Sequence, residues 1–202
     1  MKRITFLSQF KDAPFFTKQV MINSAVRFNI SINTLNSYIK KALINREIIS
    51  LKRNHYVTEN FFSQNKHKQD YVYFIATKLL QPSYISRETA LQYYGLLSEA
   101  NMTVITCNTT KTSRKFENKL GILDYKSIKK DLFLEFTNKK DEFDFYIAKP
   151  HKAIFDYLYY RLPIKELRNE SKVWEHLEDH RLNYEVLSKK QIRKFIQLIK
   201  SI

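Results

Sequence analysis

Asn33, Asn36, Ser37, Lys40 and Lys41 recur at three- and four-residue intervals, so on a helix they share one face. Amides and a hydroxyl can hydrogen-bond base edges, and two ammonium groups can neutralise phosphates. Lys52, Arg53 and His55 follow in a short β-rich ribbon and add three more donors. A polar helix face beside a basic hairpin points to double-stranded DNA, with the helix in the major groove and the hairpin on the adjoining backbone. A solvated helix followed by a surface hairpin carries the same charges, so the pattern alone leaves both readings open.

Other constellations are weaker. Lys111, Arg114, Lys115 and Lys119 form a second basic cluster, with Lys126, Lys129 and Lys130 close behind. It reads as a solvated hairpin or as a second polyanion surface, for RNA or a nucleic-acid-bound partner. His176 and His180 stand four apart, yet Leu177 occupies the position where a metalloprotease motif needs Glu. Glu175, Glu178 and Asp179 make an ion-paired helix the better account. Asp124-Tyr125-Lys126 is similar to the acid-x-Lys core of some nucleases, but cleavage needs a second carboxylate. Glu99 and Glu117 are the available candidates, with no sequence reason to converge. Ser83, Ser86, Cys107 and His151 suggest no nucleophile–base pair. Gly95 and Gly121 are the only glycines, which excludes a phosphate-cradling loop. The expectation is a protein without catalytic residues, metal or cofactor, and not an enzyme.

Charge distribution favours a polyanionic partner. The 202 residues are 44% apolar and carry a net +15, with a pI near 9.7. Residues 1–70 hold 12 Lys+Arg against 4 Asp+Glu, making the excess about twice as dense there as in the remainder. Cys107 is the single cysteine, so no intrachain disulfide forms. Gln9, Lys11 and Asp12 interrupt any early apolar run, which argues against a signal peptide. No 18-residue apolar span occurs, so neither a membrane nor a secreted location is expected; the reading is cytoplasmic.

The elements that must position these residues follow from periodicity and punctuation. Leu35, Ile39 and Leu43, with Ile32 and Ala42, give the third helix its apolar stripe, capped by Ser31 or Asn33. Arg3–Phe10 and a Thr17-capped segment to Phe28 supply two earlier helices, the latter through Val20, Ile22, Ala25 and Val26. Strands at Ile48–Leu51 and His55–Thr58 meet at Lys52-Arg53-Asn54, where Asn45 and Asn54 can take the positive φ usually given to glycine. Ser63–Gln69 reads as a linker. Beyond it come helices at Tyr71–Leu80 and after Ser86, the latter stopped by Gly95. Strands follow at Met102–Cys107, Ile122–Ser127, Leu132–Phe136 and Phe143–Ile147, then helices at Lys152–Leu162, Val173–Arg181 and Lys189–Lys200. The predicted class is α+β: an N-terminal winged helix-turn-helix over residues 1–65 and a mixed α+β domain over 66–202.

The segment Pro82-Ser83-Tyr84-Ile85-Ser86-Arg87-Glu88-Thr89-Ala90-Leu91-Gln92-Tyr93-Tyr94-Gly95-Leu96 resembles the signature of the AbiEi-type antitoxin family, regulators from bacterial abortive-infection systems. The resemblance includes Leu51–Val57 upstream and Thr106, Thr109–Lys111, Gly121, Tyr125 and Ile147–Ala153 downstream, covering about residues 15–160. It implies a toxin–antitoxin pair acting in phage defence. The N-terminal winged helix would bind inverted repeats at its own promoter as an autorepressor. The C-terminal domain would neutralise a co-encoded nucleotidyltransferase-like toxin, in many members without a stable complex. By position, Lys40, Lys41, Lys52, Arg53 and His55 would face DNA. The family often has Gly at Asn54 and Glu at His151. Read physically, the central motif is packing scaffold. Two other classes remain open: a winged-helix regulator with a ligand-sensing or dimerising C-terminal domain, and a basic nuclease.

Overall fold

The computed structural model describes residues 2–97 and 103–202, which form a mixed α+β structure of two compact units. The first unit comprises Met1–Ile75 with Asn118–Leu120, and the second Ala76–Glu117 with Gly121–Ile202. The division falls inside a helix, ten residues beyond the expected position.

In the first unit the order is α1 (Lys2–Ser8), β1 (Phe16–Thr17), α2 (Lys18–Arg27), α3 (Ile32–Ile44), β2 (Ile48–Lys52), β3 (His55–Thr58) and α4 (Glu59–Asn65), followed by the start of α5 (Gln69–Leu79). The strands make an antiparallel sheet in the order β1-β3-β2. Thr17, Ser31 and Thr58 cap α2, α3 and α4, each hydroxyl accepting a backbone N–H three residues on. One core joins Phe6, Phe10, Phe16, Met21 and Ala25 to Leu35, Ile39, Ala42, Ile48 and Tyr56.

Several sequence expectations need correction here. Ser63–Gln69 is no linker, since α4 runs to Asn65 and Phe62 anchors it in the interior. Val20 and Val26 face outward and Met21 is buried instead, because α2 shows the core the face of Met21 and Ala25. Ile32 and Leu43 are exposed on α3 for the same reason, the buried line being Leu35, Ile39 and Ala42. Asn45 keeps a negative φ, and the left-handed residue after α3 is Arg46 at 56°. There Glu47 N donates to Ala42 O and Arg46 N to Leu43 O, which satisfies two carbonyls at the helix end. Asn54 has the expected positive φ of 63°.

In the second unit, β4 (Ser83–Ile85), β5 (Val104–Thr109), β6 (Arg114–Asn118), β7 (Gly121–Ser127), β8 (Phe136–Lys139) and β9 (Phe145–Ala148) build one mixed sheet. Its order is β6-β7-β5-β4-β9-β8. Strands β5 and β7 are parallel, as are β4 and β9, while β4–β5 and β8–β9 are antiparallel. The helices are α6 (Arg87–Tyr93), α7 (Pro150–Tyr159), α8 (Ile164–Leu167), α9 (Glu170–Asp179) and α10 (Lys189–Lys200). Thr89 of α6 exchanges hydrogen bonds with Thr106 of β5, and α10 packs on α7. Gly95 stops α6 with φ 67°, as expected. The predicted strand at Leu132–Phe136 begins only at Phe136, because Lys130–Leu132 is a 3-10 turn and Glu135 bends the chain at φ 55°. Ser86 precedes α6, but its hydroxyl is committed elsewhere and caps nothing. Met102, assigned to the strand that begins at Val104, and Glu99 lie outside the described residues.

Candidate functional site

Burial on α3 separates its two faces. Leu35, Ile39 and Ala42 are buried, while Asn33, Asn36, Ser37, Lys40 and Lys41 are all exposed. Ser37 Oγ donates to Asn33 O at 3.1 Å, so this hydroxyl is turned back on its own helix. Ser31 holds the helix start, and no acidic side chain sits in the first turn to repel phosphate.

The ribbon β2–β3 supplies the second group. A bulge between Ser50 and Lys52 bends it, and Arg53 and Asn54 form an exposed tip. The tip is tied down where Lys18 N donates to Asn54 O at 2.9 Å. His55 is half-buried: its ring stacks on Phe15 at 6.3 Å and its Nδ1 lies 3.0 Å from Arg53 O. It therefore shapes the tip as much as it offers a donor. A cleft of about 490 Å³ separates the tip from the start of α2, lined by Thr17, Lys18, Gln19, Ile22, Asn54 and His55.

The second basic cluster does not form one surface. Lys111, Arg114 and Lys115 are exposed, but Arg114 and Lys115 are successive strand residues and point to opposite sides of β6. Lys119 is drawn to Glu59 at 3.7 Å. Lys115 instead lines a cleft of about 340 Å³ with Arg87, Glu88, Val104, Thr106, Asp124 and Lys126.

That cleft contains the nuclease-like triplet, and its geometry explains the triplet structurally. Alternation along β7 puts Asp124 and Lys126 on one face, with Tyr125 in the opposite core. Asp124 Oδ2 accepts from Arg87 Nη1 at 3.0 Å, while Arg87 Nη2 donates to the carbonyls of Cys107 and Asp124. A guanidinium thus occupies the carboxylate that a cation would need. Among the described residues, no three His, Cys, Asp or Glu side chains are grouped to hold a metal. The rings of His176 and His180 stack at 5.9 Å, and His176 lies 3.7 Å from Glu166.

Nor do the nucleophile candidates meet. Cys107 is fully buried, and burial pushes its thiol up to about 12. Ser83 Oγ donates to the carbonyl of Leu80, Ser86 Oγ to Asp156, and His151 Nε2 faces Glu135 at 3.1 Å.

Sequence reasoning missed a buried ionic centre. Lys152 and Asp156, one helical turn apart on α7, are both fully buried and 2.7 Å apart. Tyr84 Oη and Ser86 Oγ donate to the other Asp156 oxygen at 3.0 and 2.6 Å. Burial lowers the Lys152 pKa, opposed by Asp156. Nearby, Glu135 receives Lys149 at 3.0 Å and Lys194 at 2.9 Å. Burial would raise this carboxyl, but the two lysines carry it down to about 2. The spacing Lys-x-x-x-Asp inside an otherwise apolar helical run was the available signal.

A scan against protein-family models and a search of curated proteins find no match for this chain. Among the described residues, no helix is long and apolar enough to cross a membrane.

Proposed function

We propose that the first unit is a winged helix-turn-helix that binds double-stranded DNA at its own promoter, and that the protein is an antitoxin of the AbiEi type. The observation carrying the DNA reading is the partition of α3. Its apolar line is spent in the core, and its amide and ammonium side chains are exposed beside a tethered basic ribbon. The order α1-β1-α2-α3-β2-β3 supports it, because α3 then takes the recognition position and β2–β3 the wing. In this reading Asn33, Asn36 and Ser37 address base edges; Lys40, Lys41, Lys52 and Arg53 address phosphates.

The antitoxin half rests on the resemblance of residues 82–96. The second unit would neutralise a co-encoded nucleotidyltransferase-like toxin. A Lys52→Ala/Arg53→Ala variant of the full chain, co-expressed with the neighbouring toxin gene, separates the two roles. Growth is expected to be rescued while promoter binding is lost. A variant that keeps its promoter affinity contradicts the wing, and a wild-type chain that fails to rescue contradicts the antitoxin reading.

A further inference from the structure

The cleft at Arg87 carries two buried polar atoms that the protein does not satisfy. Arg87 is 3% exposed, and its Nε–H has no hydrogen-bond partner, although Nη1 donates to Asp124 Oδ2 and Nη2 to the carbonyls of Cys107 and Asp124. Glu88 Oε1 accepts from Arg161 at 2.7 Å, but its Oε2 is buried and unpartnered. Such orphans are costly and ask for an occupant. One is a donor and the other an acceptor, and both residues line the same cleft.

The charges around them are unbalanced. Arg87 neutralises Asp124, and Arg161 neutralises Glu88. Lys115 and Lys126 also line the cleft, and no carboxylate among the described residues pairs with either. Lys126 Nζ and the Arg87 guanidinium both lie over the Tyr160 ring, at 5.0 and 5.6 Å. Two spare positive charges and a spare N–H suit a dianion with several acceptor oxygens. The spare carboxylate oxygen suits a hydroxyl on the same molecule. A volume of about 340 Å³ is at the small end of ligand sites.

We propose that this cleft binds a small hydroxylated phosphate monoester, a sugar phosphate or a nucleoside monophosphate. The phosphate lies between Lys115, Lys126 and the Arg87 edge, and a hydroxyl of the ester donates to Glu88. The site is independent of the DNA reading, and would give the second unit a ligand of its own.

Isothermal titration of the full chain with ribose 5-phosphate, adenosine monophosphate, inorganic phosphate and ribose tests it. Saturable binding of at least one ester, weaker binding of inorganic phosphate and no binding of ribose are expected. The two esters distinguish a sugar-sized from a nucleotide-sized occupant. Lys115→Gln/Lys126→Gln should weaken the ester by at least about tenfold. Lys111→Gln/Arg114→Gln, outside the cleft, should leave the affinity unchanged. Failure of both esters to bind overturns the proposal, and so does equal affinity in the cleft variant and the wild type.

Discussion

The two units of this protein use charge in opposite ways. In the first, Lys40, Lys41 and Arg53 stand in solvent, over a core made of Phe, Leu, Ile and Met side chains. In the second, Arg87, Asp124, Lys152 and Asp156 are buried and bonded to one another. Exposed charges contribute little to folding and remain free to meet a polyanion. Buried charges have lost their water and must be matched, so removing one leaves its partner stranded. The difference separates side chains available to a partner from those that specify the fold.

The largest expected effect comes from breaking the buried pair. Asp156→Ala strands the Lys152 ammonium and leaves the hydroxyls of Tyr84 and Ser86 without their acceptor. Urea denaturation should show a loss of about 3–5 kcal/mol. Lys40→Ala/Lys41→Ala, at exposed positions of α3, should change stability by no more than about 0.5 kcal/mol in the same assay. Equal losses in the two variants would abolish the contrast.

A smaller effect belongs to His151, which is 1% exposed and has an unpartnered buried Nδ1. Burial lowers its pKa below the ordinary 6.5, opposed by Glu135, so the folded state binds this proton less readily than the unfolded chain. Its contribution is complete above pH 6.5 and is lost as pH falls through the depressed value. Glu135 behaves alike at lower pH, its contribution present above 4.5 and lost toward about 2. Stability curves of His151→Gln and wild type should converge as pH drops from 7 to 5. A constant gap between them would show that His151 does not titrate in this way.

The smallest effect is at the ribbon tip. Asn54→Gly keeps the φ of 63° accessible, and should shift stability by less than about 1 kcal/mol without altering DNA affinity. Asn54→Val should cost about 1–2 kcal/mol, because a β-branched residue resists that conformation. Indifference to both changes would mean that the turn does not hold the ribbon.

Local punctuation made much of the first unit legible. Thr17 and Ser31 cap the helices they were expected to cap, and Asn54 turns the ribbon. What escaped depended on tertiary partners. Strand β6 is a charged edge, Arg-Lys-Phe-Glu-Asn, whose one apolar residue, Phe116, is half-buried through its edge contact with Tyr125. Strand β4 is three residues long and gains its identity from pairing with β5 and β9. Arg87 stood in view within the central motif, but its role needed Asp124, which lies 37 residues further along the chain. The outward face of α3 was legible because period and polarity are local properties. The contacts of Arg87 with Asp124, and of Tyr84 and Ser86 with Asp156, were not, because they join segments far apart in the sequence.

The most direct test of the account is the salt dependence of binding to the DNA upstream of this gene, for wild type and for Lys40→Ala/Lys41→Ala/Lys52→Ala/Arg53→Ala. If about five phosphates are neutralised, log affinity falls against log salt with a slope near −4.5, and removing four cations flattens it by about 3.6. Thermal stability should stay near that of the wild type. An unchanged slope in the fourfold variant, or no saturable binding by the wild type, would contradict the claim that these cations serve DNA.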